Sequence, residues 1–120
     1  MKNDDVLVTI SIPTSITIQT VKHLLSAAFE GGSNSWVNCI DSNSVEPLRE
    51  NVPFIDGGWL KLKTIDEETY FITLDSIKIG LQAFANGCPI QFEDVVADEW
   101  DADTGDMLLQ YICFGKMTYC

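Results

Sequence analysis

The sequence predicts an α+β domain, with a mainly antiparallel sheet of about four or five strands and three or four helices packed on one side. Three observations carry this expectation. Apolar residues alternate with polar ones in Asp5–Ile12 and again in Trp59–Ile65, the first arm of a hairpin that returns through Tyr70–Leu74. They recur at helical spacing in Val21–Phe29 and Ile77–Ala85. Finally, 46% hydrophobic residues in 120 supply a core for one domain spanning residues 1–120.

The elements follow in chain order. Val6, Val8, Ile10 and Ile12 share one face of a half-buried strand that Pro13 stops. From Ser15 the period changes, and Val21, Leu24, Leu25, Ala28 and Phe29 line one face of an amphipathic helix. Gly31-Gly32 is expected to end it through a left-handed C′ glycine. Ser33–Ile40 reads as a strand entered from a turn, and Asp41–Asp56, with Pro47 and Pro53, as the one long loop. Leu60 and Leu62 alternate with Lys61 and Lys63 in the first arm of a hairpin, which returns through Tyr70–Leu74 after the Asp66-Glu67-Glu68 turn. Asp75 is expected to cap a helix with the apolar face Ile77, Leu81, Phe84 and Ala85. A short helix from near Ile90 buries Phe92, Val95 and Val96. A last helix carries Leu108, Leu109 and Ile112, ends at Gly115, and leaves Lys116–Cys120 for a final edge strand.

Charge narrows the function classes. Seven Lys and Arg stand against eighteen Asp and Glu, for a net charge of −11. Glu93, Asp94, Asp98, Glu99, Asp101, Asp103 and Asp106 fall in one stretch that holds no basic residue. Such a field repels nucleic acid, nucleotides and anionic membranes, and attracts basic protein surfaces. Met1–Asp5 is polar and acidic where a secretory signal would be basic and then apolar, and no apolar run approaches the roughly 20 residues of a membrane span. The four cysteines form no C-x-x-C pair and His23 is the single histidine, so reduced thiols are expected and neither a disulfide framework nor a zinc site.

The local motifs have structural readings. Asp101-Ala102-Asp103-Thr104-Gly105-Asp106 has the oxygens of a calcium loop but the wrong register: with Asp101 at position 1, Gly105 stands at 5 instead of 6, and Ile112 occupies position 12. Asp103 as N-cap with Asp106 three residues on accounts for that end of the acidic stretch. It leaves Glu93, Asp94, Asp98, Glu99 and Asp101 with no local reason. His23 has no nucleophile beside it, and no convergent set of catalytic residue types is present, so the expectation is a protein without enzymatic activity, cofactor or metal. Gly31-Gly32-Ser33-Asn34 lacks the spacing of a phosphate loop.

Leu24-Leu25-Ser26-Ala27-Ala28-Phe29-Glu30-Gly31-Gly32-Ser33-Asn34-Ser35-Trp36 resembles the LL-x-x-A-F-E-G-G-S-N-Y-W segment of a family of small bacteriophage and prophage proteins. Leu74–Gln82, Asp103–Gln110 and Phe114-Gly115 are similar to later segments of that family in the same order, while Ser35 replaces a position often aromatic there. The resemblance implies phage origin and action in the cytoplasm of an infected bacterium, and it supplies no activity. Small acidic phage proteins often inhibit bacterial defence systems, an association that gives two expectations. The first is an anti-CRISPR-like inhibitor whose seven acids between Glu93 and Asp106 dock on a basic host protein or complex, with no direct nucleic-acid or membrane contact; a homodimer is compatible with this. The second is a binder that sequesters a nucleotide second messenger through Asn34, Trp36 and Gln110, with Lys61, Lys63 or Lys116 on the phosphates.

Overall fold

The computed structural model describes residues 3–8, 13–43 and 52–119. Among them the chain runs α1 (Ile18–Ala27), β1 (Val37–Ser42), β2 (Leu60–Thr64), β3 (Thr69–Ile72), α2 (Leu74–Gly87), α3 (Pro89–Val96) and α4 (Ala102–Phe114). The architecture is α+β, with a three-stranded antiparallel sheet in the order β1-β2-β3 and four helices.

The sheet is smaller than the four or five strands the sequence predicts, for two reasons. Val6, Leu7 and Val8 are not in a strand and are 80%, 84% and 65% exposed, while 9–12 lie outside the described residues. Their alternation gives a face to bury, but the described sheet offers Val6–Val8 no pairing. At the other end, Met117, Thr118 and Tyr119 form no strand, because the Gln110 side chain takes up the backbone N–H groups of Thr118 and Tyr119.

The hairpin follows its pattern. Leu60 pairs with Ile72 and Leu62 with Tyr70, so Leu60, Leu62 and Ile72 face inward while Lys61 and Phe71 face solvent. Strand side chains alternate faces, so one register places all of them. Of the expected loop, 44–51 lie outside the described residues, but Val52, Pro53 and Phe54 are buried core rather than solvent-facing loop.

Helix ends differ from expectation in instructive ways. α1 starts on Thr17, whose hydroxyl accepts the Thr20 N–H, and ends through one wide π-type turn, Ala28–Gly32. Neither glycine of that turn is left-handed; Gly31 is extended at φ 173°, and the Ala102 carbonyl lies where a Cβ on Gly32 would stand. α2 is capped by Thr73 and not by Asp75: Thr73 Oγ1 accepts the Ser76 N–H at 3.2 Å, and Ser76 Oγ accepts the Thr73 N–H at 2.8 Å. Asp75 sits in the first turn, where a negative charge still suits the helix dipole. α3 opens on Pro89, whose missing N–H costs nothing at that position. Its Val95 is buried and Phe92 half-buried, but Val96 is 52% exposed, because the helix lies at the edge with one narrow face inward.

α4 is the centre of the packing and touches α1, α2 and β3. Two glycines make that possible. A Cβ on Gly105 would strike the Leu24 carbonyl oxygen of α1, and one on Gly80 of α2 would strike the backbone of Ile112. Helix axes approach this closely only where the side chain is absent. Leu24, Leu25, Trp36, Leu60, Leu62, Ile72, Phe84, Leu108 and Leu109 fill the space between helices and sheet and are fully buried. Gly115, at φ 72°, stops α4 as expected.

Candidate functional site

The acidic stretch forms a hydrogen-bonded corner between α3 and α4. As α3 ends, the Glu99 N–H donates to the Asp94 carbonyl at 2.8 Å and the Asp98 N–H to the Val95 carbonyl at 3.2 Å. This is a Schellman ending with Asp98, at φ 58°, in the left-handed position that glycine usually holds. Aspartate is among the few other residues that tolerate it. Asp101, not Asp103, then caps α4: its Oδ1 accepts both the Thr104 N–H and the Thr104 hydroxyl at 3.1 Å. Those two bonds hold the Asp101 carboxyl below the usual carboxylate range, because they favour its charged form.

The corner turns most of its acids outward. Glu93, Asp98, Glu99, Asp101 and Asp103 are exposed and Asp94 is half-exposed. No lysine or arginine occurs anywhere from Ile79 to Gly115. The Asp101–Asp106 run occupies the cap and first turns of a helix, so its carboxylates fan around the axis rather than ringing a cation. Among the described residues, no three His, Cys, Asp or Glu side chains meet in an arrangement able to hold a metal ion.

Asp106 behaves differently from the other six. Its Oδ1 accepts the Ser33 hydroxyl and the Trp36 indole N–H, each at 2.6 Å, and its Oδ2 accepts the Gln110 side-chain N–H at 2.9 Å. Ser33, Trp36 and Gln110 are all buried. Gln110 completes its own hydrogen bonding by pairing with the tail: Nε2 donates to the Tyr119 carbonyl at 3.0 Å, and Oε1 accepts the N–H groups of Thr118 at 2.9 Å and Tyr119 at 2.8 Å. The segments Gly31–Trp36 and Asp103–Gln110 are thus joined through one carboxylate, with Trp36 and Asp106 standing 70 residues apart in the chain. The sequence signal for this hub was two polar residues, Asp106 and Gln110, four apart on the apolar side of a helix.

The three residues considered for a nucleotide do not form an open pocket. Asn34 is exposed, whereas Trp36 is 0% exposed and stacks on Tyr119, with ring centroids 5.4 Å apart and planes 5° from parallel. Lys61 and Lys63 lie on the opposite, solvent face of β2 from the buried Leu60 and Leu62. His23 is exposed and bonds to Gln19 on the same helix at 2.7 Å.

A groove of about 490 Å³ opens at the far end of α4, lined by Asp66, Glu68, Tyr70, Phe114, Lys116 and Tyr119 among others. The Tyr119 hydroxyl donates to Asp66 Oδ2 at 2.8 Å and the Tyr70 hydroxyl to Glu68 Oε2 at 2.6 Å. Each bond stabilises the neutral phenol beside a negative charge, so both tyrosines are pushed up, Tyr70 to about 12. The Cys113 thiol in the groove wall is pushed up to about 12 by burial, which keeps it protonated and unreactive. Sequence reasoning missed this groove because its walls come from the β2–β3 turn, the end of α4 and the tail.

Comparison with known proteins leaves the assignment to these residues: no protein-family model, curated protein or solved structure matches the chain.

Proposed function

We propose that this chain is a non-enzymatic interaction protein, a phage-encoded inhibitor of a bacterial defence system of the anti-CRISPR kind, which acts in the host cytoplasm by docking its acidic corner on a basic protein surface. One observation carries the reading: five exposed carboxylates, from Glu93, Asp98, Glu99, Asp101 and Asp103, share a corner pinned by a Schellman ending and an N-cap, in a stretch without a single cation. Asp101 caps α4 and Asp98 holds the left-handed turn position, but Glu93 and Glu99 have no such role, and like charges held together repel one another while steering a positively charged partner. Phage origin is supported by the motif resemblance, and the choice of a defence complex by the basic nucleic-acid channels such complexes present. The burial of Trp36 and Gln110 counts against a nucleotide binder built on those residues.

The test separates charge from folding. Glu93→Lys, Asp98→Asn and Glu99→Lys together reverse or remove three corner charges, and they leave the Asp101 cap and the Asp106 hub in place. The parent protein, expressed in bacteria carrying individual defence systems, is expected to restore plating of a sensitive phage against at least one of them. The triple variant, at equal abundance and melting temperature, is expected to lose that effect, and binding of the parent to the purified defence complex is expected to weaken with salt. Full restoration by the triple variant would remove the acidic corner as the docking surface.

A further inference from the structure

The groove at the far end of α4 combines features that neither helix capping nor core packing requires. Asp66 and Glu68 each have one carboxylate oxygen bound by a tyrosine hydroxyl, which fixes the group, while the other oxygen accepts no hydrogen bond from a described residue. The walls are aromatic: Phe114 lies 5.0 Å from Tyr70, edge to face, and 5.8 Å from Tyr119. Trp36 backs Tyr119 from the protein interior. The groove, about 490 Å³, is open to solvent and has room for a single side chain.

Carboxylates held beside aromatic rings match one ligand chemistry, a cation carried on an apolar stem. The rings attract positive charge through their π faces, and the carboxylates add charge-assisted hydrogen bonds. A planar guanidinium meets both requirements at once, since it stacks on rings and donates along its edges. A compact, strongly hydrated ammonium does so less well. Anions are disfavoured by Asp66, Glu67 and Glu68 in a chain of net charge −11.

We infer that this groove is a receptor for an arginine side chain presented by a protein partner. The inference goes beyond the function proposed above, because the groove lies at the opposite end of α4 from the acidic corner and stands or falls separately. Lys116 at the rim is the groove's own competing cation. Its ammonium opposes an incoming guanidinium, so removing it should improve binding.

The experiment is an NMR titration of the full chain, following the ring resonances of Tyr70, Phe114 and Tyr119, with acetyl-Gly-Arg-Gly-amide. The peptide with citrulline, a neutral isostere, in place of arginine is the control. Saturable shifts are expected with arginine and severalfold weaker binding with citrulline, the scale of a cation–π contact at a solvent-exposed site. Asp66→Asn with Glu68→Gln keeps an oxygen for each tyrosine hydroxyl, so the groove should stay folded while affinity falls about tenfold or more. Lys116→Met should raise affinity severalfold. The acidic-corner triple variant should bind the peptide like the parent, which separates failure here from failure of the docking proposal. Equal shifts with citrulline, no shifts, or unchanged affinity in the Asp66/Glu68 double variant would overturn the inference. Tighter binding of free arginine than of the blocked peptide would overturn the protein partner in favour of a small molecule.

Discussion

Asp106→Ala tests whether one carboxylate joins the two halves of the chain. The substitution leaves the Trp36 indole N–H, the Ser33 hydroxyl and one Gln110 N–H without the acceptor they share. Trp36 and Gln110 are 0% exposed and Ser33 1%, while Asp106 itself is half-exposed, so a water entering from its solvent side recovers only part of the loss. A hydrogen bond to a charged group contributes about 1.5–3 kcal/mol, and a buried donor left unpaired costs about 1–3 kcal/mol. Because the three bonds share one group they do not add, and a loss of about 3–5 kcal/mol is expected. Against a typical domain stability of about 5–15 kcal/mol, that is a large fraction, and it corresponds to a melting temperature lower by about 12–20 °C. Asp106→Asn keeps an oxygen for Ser33 and Trp36 but turns an amide toward the Gln110 amide, so about 1–2 kcal/mol should be lost. Urea unfolding followed by tryptophan fluorescence measures both. A loss below about 1 kcal/mol for Asp106→Ala would refute the hub.

Other substitutions probe separate links. Asp98→Gly should stabilise the protein by about 0.5–1 kcal/mol, raising the melting temperature by a few degrees, because glycine occupies the left-handed position more easily. It also removes one corner carboxylate without lowering stability, so it separates the proposed docking from folding. Gly105→Ala should cost about 1–3 kcal/mol or more in denaturant unfolding, since its Cβ meets the α1 backbone and not a movable side chain. The Tyr70 phenol should titrate at about 12 in an absorbance titration at alkaline pH. Its folded-state value is raised above the unfolded value of about 10, so its contribution to stability is complete below pH of about 10 and is lost as the pH rises toward the folded value. Glu68→Gln should move that titration back down.

Several elements were legible from residue order because their causes are local. The β2–β3 hairpin follows from Leu60 and Leu62 alternating with Lys61 and Lys63, and α1 from Val21, Leu24, Leu25 and Ala28 on one stripe. Gly115 ends α4 because a left-handed residue was needed there. Caps were harder to place. Thr73 and Asp101 each precede the residue expected to cap, because a serine or threonine three residues on completes a reciprocal pair. Val6–Val8 shows the limit of periodicity, which states what a strand would bury but cannot supply the neighbouring strand.

By itself the sequence determined the α+β class, the helix and hairpin positions and the acidic field between Glu93 and Asp106, since period, turn chemistry and net charge are properties of neighbouring residues. Only the tertiary structure decided which of those acids face solvent. It turned Asp106 inward to Ser33, Trp36 and Gln110, and fixed the others on the α3–α4 corner. It also brought Asp66, Glu68, Tyr70, Phe114 and Tyr119 around one groove. The physical reason is the same in both cases: a buried donor selects its acceptor by proximity in the packed core, and proximity across 70 residues is set by how α4 crosses α1 and the sheet.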